Sequence, residues 1–480
     1  MVMIANMRNL ATQGPSSTTF VKKCLPLLGT LTLLILLFWQ PTCSLAAPAN
    51  TYYIDAFNGN DTHAGTSPNT AWQTMSRVSD HTFSPGDQIL FRRGQQFAID
   101  GDGMFLQGDG QATNRITLGA YGPGTSLPIL TNTNAANKYI YVVGVWGKYW
   151  TIRDIKIDST NGNIIEDGIR VWDNGTHVVI DNVEITGVAK GIKLHGSHSE
   201  VKNSYIHDLV MLINTPGGDD DVGAIGIEVT QNGSTVSDVK IHHNRLVNLI
   251  QPSYDYGRDG AALELFDNVD GVTFYNNWVE NVDSLTELGA SSPNKVIQNV
   301  VLHHNVVVNP RIISFIHNSG PLGVTIYQIK IDNNTIVKKE DSEKDGYGIG
   351  FAATNANNDQ FYLRNNIISY HNTASAFAYN GGNFTHSHNL YYLTGIGPEN
   401  DTVPNYALGP GELMASPDFL CDNNDNFHLQ PSSPAIDSAL DLGYAHDYNS
   451  VFYHEATLDI GAFIYIPKVC QSLYLPFVQS

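Results

Sequence analysis

Between about residue 150 and residue 393, apolar residues fall on alternate positions in short runs that recur along the chain. One kind of run ends in asparagine. It reads Val-Val-Ile-Asp-Asn at 178–182, Glu-Val-Lys-Asn at 200–203 and Val-Lys-Ile-His-His-Asn at 239–244. It returns as Val-Thr-Phe-Tyr-Asn-Asn at 272–277, Val-Val-Leu-His-His-Asn at 300–305, Ile-Lys-Ile-Asp-Asn-Asn at 329–334 and Phe-Tyr-Leu-Arg-Asn-Asn at 361–366. Period-two alternation predicts strands and excludes a helical solenoid. The asparagines at 182, 203, 244, 277, 305, 334, 366 and 389 lie 21 to 41 residues apart, the pattern of a constant coil with insertions in its loops. Like-directed strands stacked coil on coil pair in parallel at ~4.8 Å. Asparagine suits the turn because it tolerates the left-handed region and its amide can bond the asparagine above and below. A propeller would need a steadier period and antiparallel hairpins.

A second run precedes the asparagine run in each coil. Aligned, these read Ile169-Arg170-Val171-Trp172, Ile192-Lys193-Leu194-His195, Ile227-Glu228-Val229-Thr230, Leu263-Glu264-Leu265-Phe266 and Thr286-Glu287-Leu288-Gly289. The alignment predicts one outward column of Arg170, Lys193, Glu228, Glu264 and Glu287. A neighbouring column holds Trp172, His195, Thr230, Phe266 and Gly289. The last rung requires Leu285 to point out and Thr286 in. Three glutamates at rung spacing repel one another, and a sheet gains no stability from like charges in register. Such crowding raises at least one carboxyl pKa and marks sites of acid–base chemistry. The plainer alternative is a solvated acidic face or a cation site.

The two ends read as caps, which a solenoid needs over its open edges. Tyr52-Tyr53-Ile54-Asp55, Ala71-Trp72-Gln73-Thr74 and Ser84-Pro85-Gly86-Asp87 through Gly94 resemble the entry of secreted bacterial β-helix proteins, in which a short helix plugs the first coil. Ser433-Pro434-Ala435-Ile436-Asp437 and Asp459-Ile460-Gly461-Ala462-Phe463 resemble the closing segment of the same superfamily. The chain thus resembles the pectate-lyase-like superfamily, which implies an all-β, right-handed parallel β-helix solenoid. That scaffold hosts hydrolases, lyases, epimerases and adhesins, so the likeness speaks for fold more than for chemistry.

Lys22 and Lys23, the apolar run Leu25–Trp39 and the small residues Ser44 to Ala49 predict a secretory signal peptide over 1–49. The run is shorter than the roughly 20 residues a membrane helix needs; an uncleaved anchor is the alternative. The remaining regions are 50–149, an N-terminal cap with the first coils; 150–393, the coils carrying the groove; and 394–480, the last coils and C-terminal cap. The leader carries Arg8, Lys22 and Lys23 and no acid, so its loss moves the net charge from −20 to −23. Such a surface excludes nucleic acid and anionic membranes as partners. Cys421 and Cys470 are the cysteines left. They are expected either to pair in an oxidising compartment and staple the tail or to stay as free thiols.

Two long insertions flank the glutamate column. Asn214 to Asp221 precedes Glu228 and includes Asp219-Asp220-Asp221; Pro252 to Gly260 precedes Glu264. Long loops concentrate function. Trp172, Tyr254 and Tyr256 are placed to stack on sugar rings, while Lys193, His195, Asp221, Glu228, Asp255 and Arg258 are placed to bond hydroxyls. Glycoside cleavage uses a proton donor and a second carboxylate, ~5–5.5 Å apart in retaining enzymes and ~6.5–9.5 Å in inverting ones. Glu264 is the expected centre, paired with Asp259 or Glu287, in a monomeric enzyme acting on a polysaccharide. The rival class is a lyase with Lys193 and Arg170 beside a Ca²⁺ held by Asp221, Glu228 and Glu264. A non-catalytic glycan-binding adhesin is the third class. The pairs His242-His243 and His303-His304 are expected as stacked surface imidazoles, and His317 and Asn318 as the far end of the groove. No nucleotide-binding fingerprint occurs in a strand–helix setting, so no organic cofactor is expected.

Overall fold

The computed structural model describes residues 49–160, 164–218, 220–316, 324–339, 349–352, 360–371, 377–379, 383–394, 407–421, 424–453 and 458–467. Residues 1–48, with the expected signal peptide, and Asp219, His317, Asn318 and Cys470 lie outside these residues.

Each coil contributes three strands, and like strands of successive coils pair in parallel, giving a three-sided parallel β-helix. One side, here the groove sheet, contains Met104–Leu106, Tyr141–Val145, Asp167–Val171 and Lys190–Leu194. It continues through the leading parts of Ile225–His242 and Ala261–Tyr275 and the trailing parts of Trp278–Gly289 and Val306–Ile316. The second side carries the asparagine runs, including Val179–Asp181, Glu200–Lys202, Lys295–His303, Val324–Asp332 and Gln360–Arg364. The third holds Lys156–Asp158, Glu184–Thr186, Tyr205–His207, Arg245–Leu249, Thr335–Lys338 and Ile367–His371.

Alternation explains the interior. Ile152, Ile180, Val201, Ile241, Phe274, Leu302, Ile331 and Leu363 fall in register on the second side and are all buried. Each such side chain contributes roughly 1.5–3 kcal/mol by leaving water. At the entrance, the helix Met75–Ser79 starts at Thr74, whose side chain accepts from the Arg77 amide at 3.2 Å, and buries Met75 and Val78 in the core. The C-terminal cap lies along the third side, where Phe419, Phe427, Ile460 and Phe463 pack on Trp278, Val306, Val308, Val337 and Ile367. Cys421 is in a disulfide whose partner lies outside the described residues. Among the described residues, no helix is long and apolar enough to cross a membrane.

The turn after the second side divides two duties that the sequence reading gave to one asparagine. The left-handed residues are Asn182, Asn203, His243, Asn276, His304, Asn333, Asn365 and His388, with φ from 50° to 60°. The side-chain ladder lies one residue later. Asn244 donates to Asn277 (3.0 Å), Asn277 to Asn305 (3.1 Å), Asn305 to Asn334 (2.9 Å), Asn334 to Asn366 (3.0 Å) and Asn366 to Asn389 (3.0 Å). Glu412 closes it by accepting from Asn389 at 2.8 Å. Asn182 and Asn203 therefore stand one position before the ladder, where Val183 and Ser204 occupy its inner place. Of the histidine pairs, His242 and His303 stack on Tyr275 as partly exposed rings, and the expectation is corrected at His304. His304 is wholly buried, and the Tyr453 hydroxyl meets its Nε2 at 2.7 Å, because the C-terminal segment covers it.

Candidate active groove

The register of the groove sheet sets Gly144, Arg170, Lys193, Glu228, Glu264, Glu287 and Phe315 side by side on successive rungs. The charged column in the sequence is thus one stripe, bounded by Tyr141, whose ring lies over Gly144, and by Phe315. The last glutamate reaches it by a route that strict alternation misses. Leu285 and Thr286 are both buried, and Leu285 belongs to the core rather than pointing outward. The same local irregularity occurs at Gly168, Gly191 and Gly226. A Cβ on Gly168 would meet the Gly191 carbonyl at 2.6 Å and Ile185 at 2.9 Å, so two consecutive positions face inward.

That bend has a consequence at the strand starts. Asp167 and Lys190 are in register with each other and share the outer face with Arg170 and Lys193. Arg170 pairs with Asp167 and donates to Glu166 at 2.9 Å. Lys190 donates to Glu228 at 2.5 Å and lies 3.9 Å from Glu264. Lys193 lies 3.5 Å from Glu228 and 3.6 Å from Glu166. Two rungs on, Arg311 pairs with Asp283. None of Glu166, Asp167, Lys190, Asp283 or Arg311 was picked from the sequence. The available signal was the repeated x-Gly-Ile-Arg/Lys pattern at 167–170 and 190–193, which places a charge before the glycine.

Electrostatics follow this pairing. Burial raises the Glu228 carboxyl, but Lys190 and then Lys193 outweigh it and bring the pKa down to about 2. At Glu228 the expected rise is reversed, because two ammonium groups relieve the repulsion there. The raised carboxyls are neighbours instead. Burial lifts Asp167 to about 6 against the pull of Arg170 and Lys193. Burial also raises Asp283, and Arg311 only partly offsets it. Burial alone would lower Lys190, yet Glu228 and Glu264 hold its ammonium above the usual lysine range.

The two insertions are hairpins that wall the groove at the strand starts. Met211–Ile213 pairs with Val222–Gly223, and Gln251–Ser253 pairs with Gly257–Asp259. Asp221 ties them together: it accepts from the Ser253 hydroxyl (2.7 Å) and the amides of Asp255 (3.1 Å) and Thr215 (2.9 Å). Asp255 accepts from the Asp220 and Asp221 amides at 2.9 and 3.2 Å. Asp220, Asp221 and Asp255 bring carboxylate oxygens within 4.8 Å of one another. Among the described residues, Asp221, Glu228 and Glu264 form no such group, and Glu228 is instead bonded to Lys190. On the hairpin tips, Tyr254 and Tyr256 are 65% and 41% exposed. Arg258 reaches Asp283 electrostatically, and half-buried Asp259 stands just before the Glu264 strand.

The opposite wall, at the strand ends, is aromatic. Trp146 lies 6.0 Å from Trp172, and Trp172 lies 6.1 Å from His195, between ring centroids. His195 Nδ1 sits 3.3 Å from Asp173, and burial lowers its pKa, so the ring is neutral near pH 7.

Residues 139–336 match the family model described as a right handed beta helix region. A lacto-N-biosidase of Bifidobacterium longum subsp. longum is 26% identical over 207 residues, covering 35% of this chain and 13% of that protein, so the likeness spans only a small part of the relative's length. Among solved structures, pectate lyase Pel9A superposes with a TM-score of 0.56 at 16% identity, covering 88% of this chain and 98% of that one. A rhamnogalacturonan lyase gives 0.52 at 15% identity, covering 71% and 87%. At these identities the likeness is one of fold. What the chain shares with them is the fold, a right-handed parallel β-helix.

Proposed function

We propose that this is an extracellular carbohydrate-active enzyme that hydrolyses a polysaccharide, with Glu264 and Glu287 as its carboxyl pair. The observation that carries the reading is their register on adjacent rungs of a walled groove. Parallel neighbours stand ~4.8 Å apart at the backbone, within reach of the ~5–5.5 Å carboxyl separation of retaining glycosidases. Glu264, 3.9 Å from the Lys190 ammonium, attacks the anomeric carbon. Glu287, near Asp283, then protonates the departing glycosidic oxygen, and water afterwards releases the sugar. Asp259, at the groove's lip, is the substitute partner. Arg258, Tyr254 and Tyr256 on the hairpin, with Lys193, His195 and Trp172 on the sheet, hold the glycan. The lacto-N-biosidase likeness supports a hydrolase. The leader pattern and the disulfide at Cys421 support an extracellular site of action.

The test is a glycan panel treated with the chain lacking residues 1–49, with and without EDTA. Glu264→Gln should abolish release of reducing ends while the circular dichroism stays unchanged; retained turnover would remove Glu264 from its role. A lyase is the second reading, favoured by Lys193 and Arg170, one and two rungs from Glu228. It predicts unsaturated uronate products and loss of activity with chelator. Lys190 is no candidate base for that elimination, because its neighbours hold it protonated.

A further inference from the structure

Trp146 is 44% exposed although it belongs to an aromatic series running along the solenoid axis. Phe105, Trp146, Trp172 and His195 follow one another with centroids 5.9, 6.0 and 6.1 Å apart and planes tilted by 49° to 54°. Their rungs lie on the N-terminal side of the glutamate pair. The Gly144 rung, which Trp146 ends, is four rungs from the Glu264 rung, or ~19 Å at ~4.8 Å per rung. That distance exceeds a disaccharide. The series is continuous with the charged stripe, since the Arg170 guanidinium lies 5.2 Å from the Trp172 ring and 5.4 Å from Tyr141.

Charge in this part of the groove is balanced. Arg170 is paired with Asp167 and Glu166, and Lys193 sits between Glu166 and Glu228. His195 is neutral and faces Asp173, which is exposed. A uronate would meet paired cations and an extra carboxylate, whereas the apolar face of an uncharged pyranose would meet aromatic rings edged by polar groups.

We infer that the wall of Trp146, Trp172 and His195 is a distal subsite for neutral pyranoses, so that the glycan lies along the solenoid axis and spans from Trp146 to Glu264. The inference rests on the hydrolase reading for what lies at Glu264, but not for the binding itself. It is tested with Trp146→Ala, an exposed position whose loss leaves the core intact. Probes are neutral gluco- and galacto-oligosaccharides and oligogalacturonides of increasing length. In wild type, the longer neutral oligosaccharides should show lower KM than the short ones. Trp146→Ala should raise that KM roughly threefold to tenfold, with kcat and the short substrates unchanged. Calorimetry on Glu264→Gln and on the Glu264→Gln/Trp146→Ala pair should show the same loss in affinity. Cleavage with no effect of Trp146→Ala, or tighter binding of oligogalacturonides at this wall, overturns the inference while the hydrolase reading stands. Binding that depends on Trp146 without any cleavage overturns the hydrolase reading alone. A wild type that neither binds nor cleaves any probe removes both.

Discussion

Lys190 donates through Nζ to Oε2 of Glu228 at 2.5 Å, and both side chains are buried in the middle of the charged stripe. The pair is not a surface salt bridge of negligible value. Removing either partner strands a charge away from water, which costs ~3–5 kcal/mol. Lys190→Met should therefore lower the urea midpoint sharply. The double variant Lys190→Met/Glu228→Leu should recover most of the loss, because neither charge is then left alone.

The same pair sets a pH dependence. The Glu228 carboxyl is depressed to about 2 in the folded chain from an ordinary value of 4.5. Its contribution is present above pH 4.5 and is lost as pH falls toward 2. The stability gap between wild type and Glu228→Gln, measured by urea denaturation across this range, should be full at pH 6 and close progressively between pH 4.5 and 2. A gap independent of pH would show that the carboxylate's charge is not what stabilises.

Two half-buried histidines act with the opposite sign of charge. Burial, helped by His446, pulls His303 down to about 3, and burial with His242 pulls His243 down to about 4. The unfolded chain takes up these protons near pH 6.5 while the folded chain refuses them. Stability therefore falls as pH drops below 6.5, until the folded values are reached. His303 stacks on Tyr444 at 4.4 Å, so the C-terminal segment should feel this first. Limited proteolysis should cut around 444–453 faster at pH 4.5 than at pH 7.5, and His303→Phe should reduce that difference.

The asparagine ladder predicts a graded series. The Asn305 side chain accepts from the Asn277 amide (2.9 Å) and its Nδ2 (3.1 Å), and donates to the Phe274 carbonyl and to Asn334. Each net bond is worth ~0.5–1.5 kcal/mol, and a stranded buried partner costs ~1–3 kcal/mol. Asn305→Ala should cost about 3 kcal/mol in equilibrium unfolding. Asn182→Ala, at a partly exposed position whose side chain donates to Asp154 at 2.7 Å, should cost about 1 kcal/mol.

Untying the hairpins should separate binding from chemistry. Asp221→Ala removes the acceptor of Ser253, Asp255 and Thr215 without touching the glutamate stripe. On the proposed hydrolase, KM should rise severalfold with kcat nearly unchanged, and the melting temperature should fall by only a few degrees. A collapse of kcat would mean that Asp221 serves the reacting centre.

The glutamate stripe was legible because strand alternation is local and the rungs repeat it. Arg170, Lys193, Glu228, Glu264 and Glu287 could be lined up by eye, and the register agrees. Lys190 and Asp167 were not, because counting by twos from Ile169 or Ile192 turns them inward. The bend at Gly168 and Gly191 reverses that, and it depends on the neighbouring coil's carbonyl. The ladder asparagine and the left-handed residue before it were merged for a related reason. Asn-Asn and His-Asn pairs offer two residues able to take the turn, and only the stacked amides decide which does.

By itself, the chain's alternation of apolar and polar residues determined a parallel β-solenoid, its coil boundaries and the line of charges on one face. Those are properties of a strand's period and of repetition. Only the tertiary structure decided which charges meet: that Lys190 neutralises Glu228, that Asp221 is spent on joining two hairpins, and that Trp146 completes the aromatic wall. Coulomb and hydrogen-bond energies depend on distances of a few ångströms between residues tens of positions apart, and no local pattern encodes them.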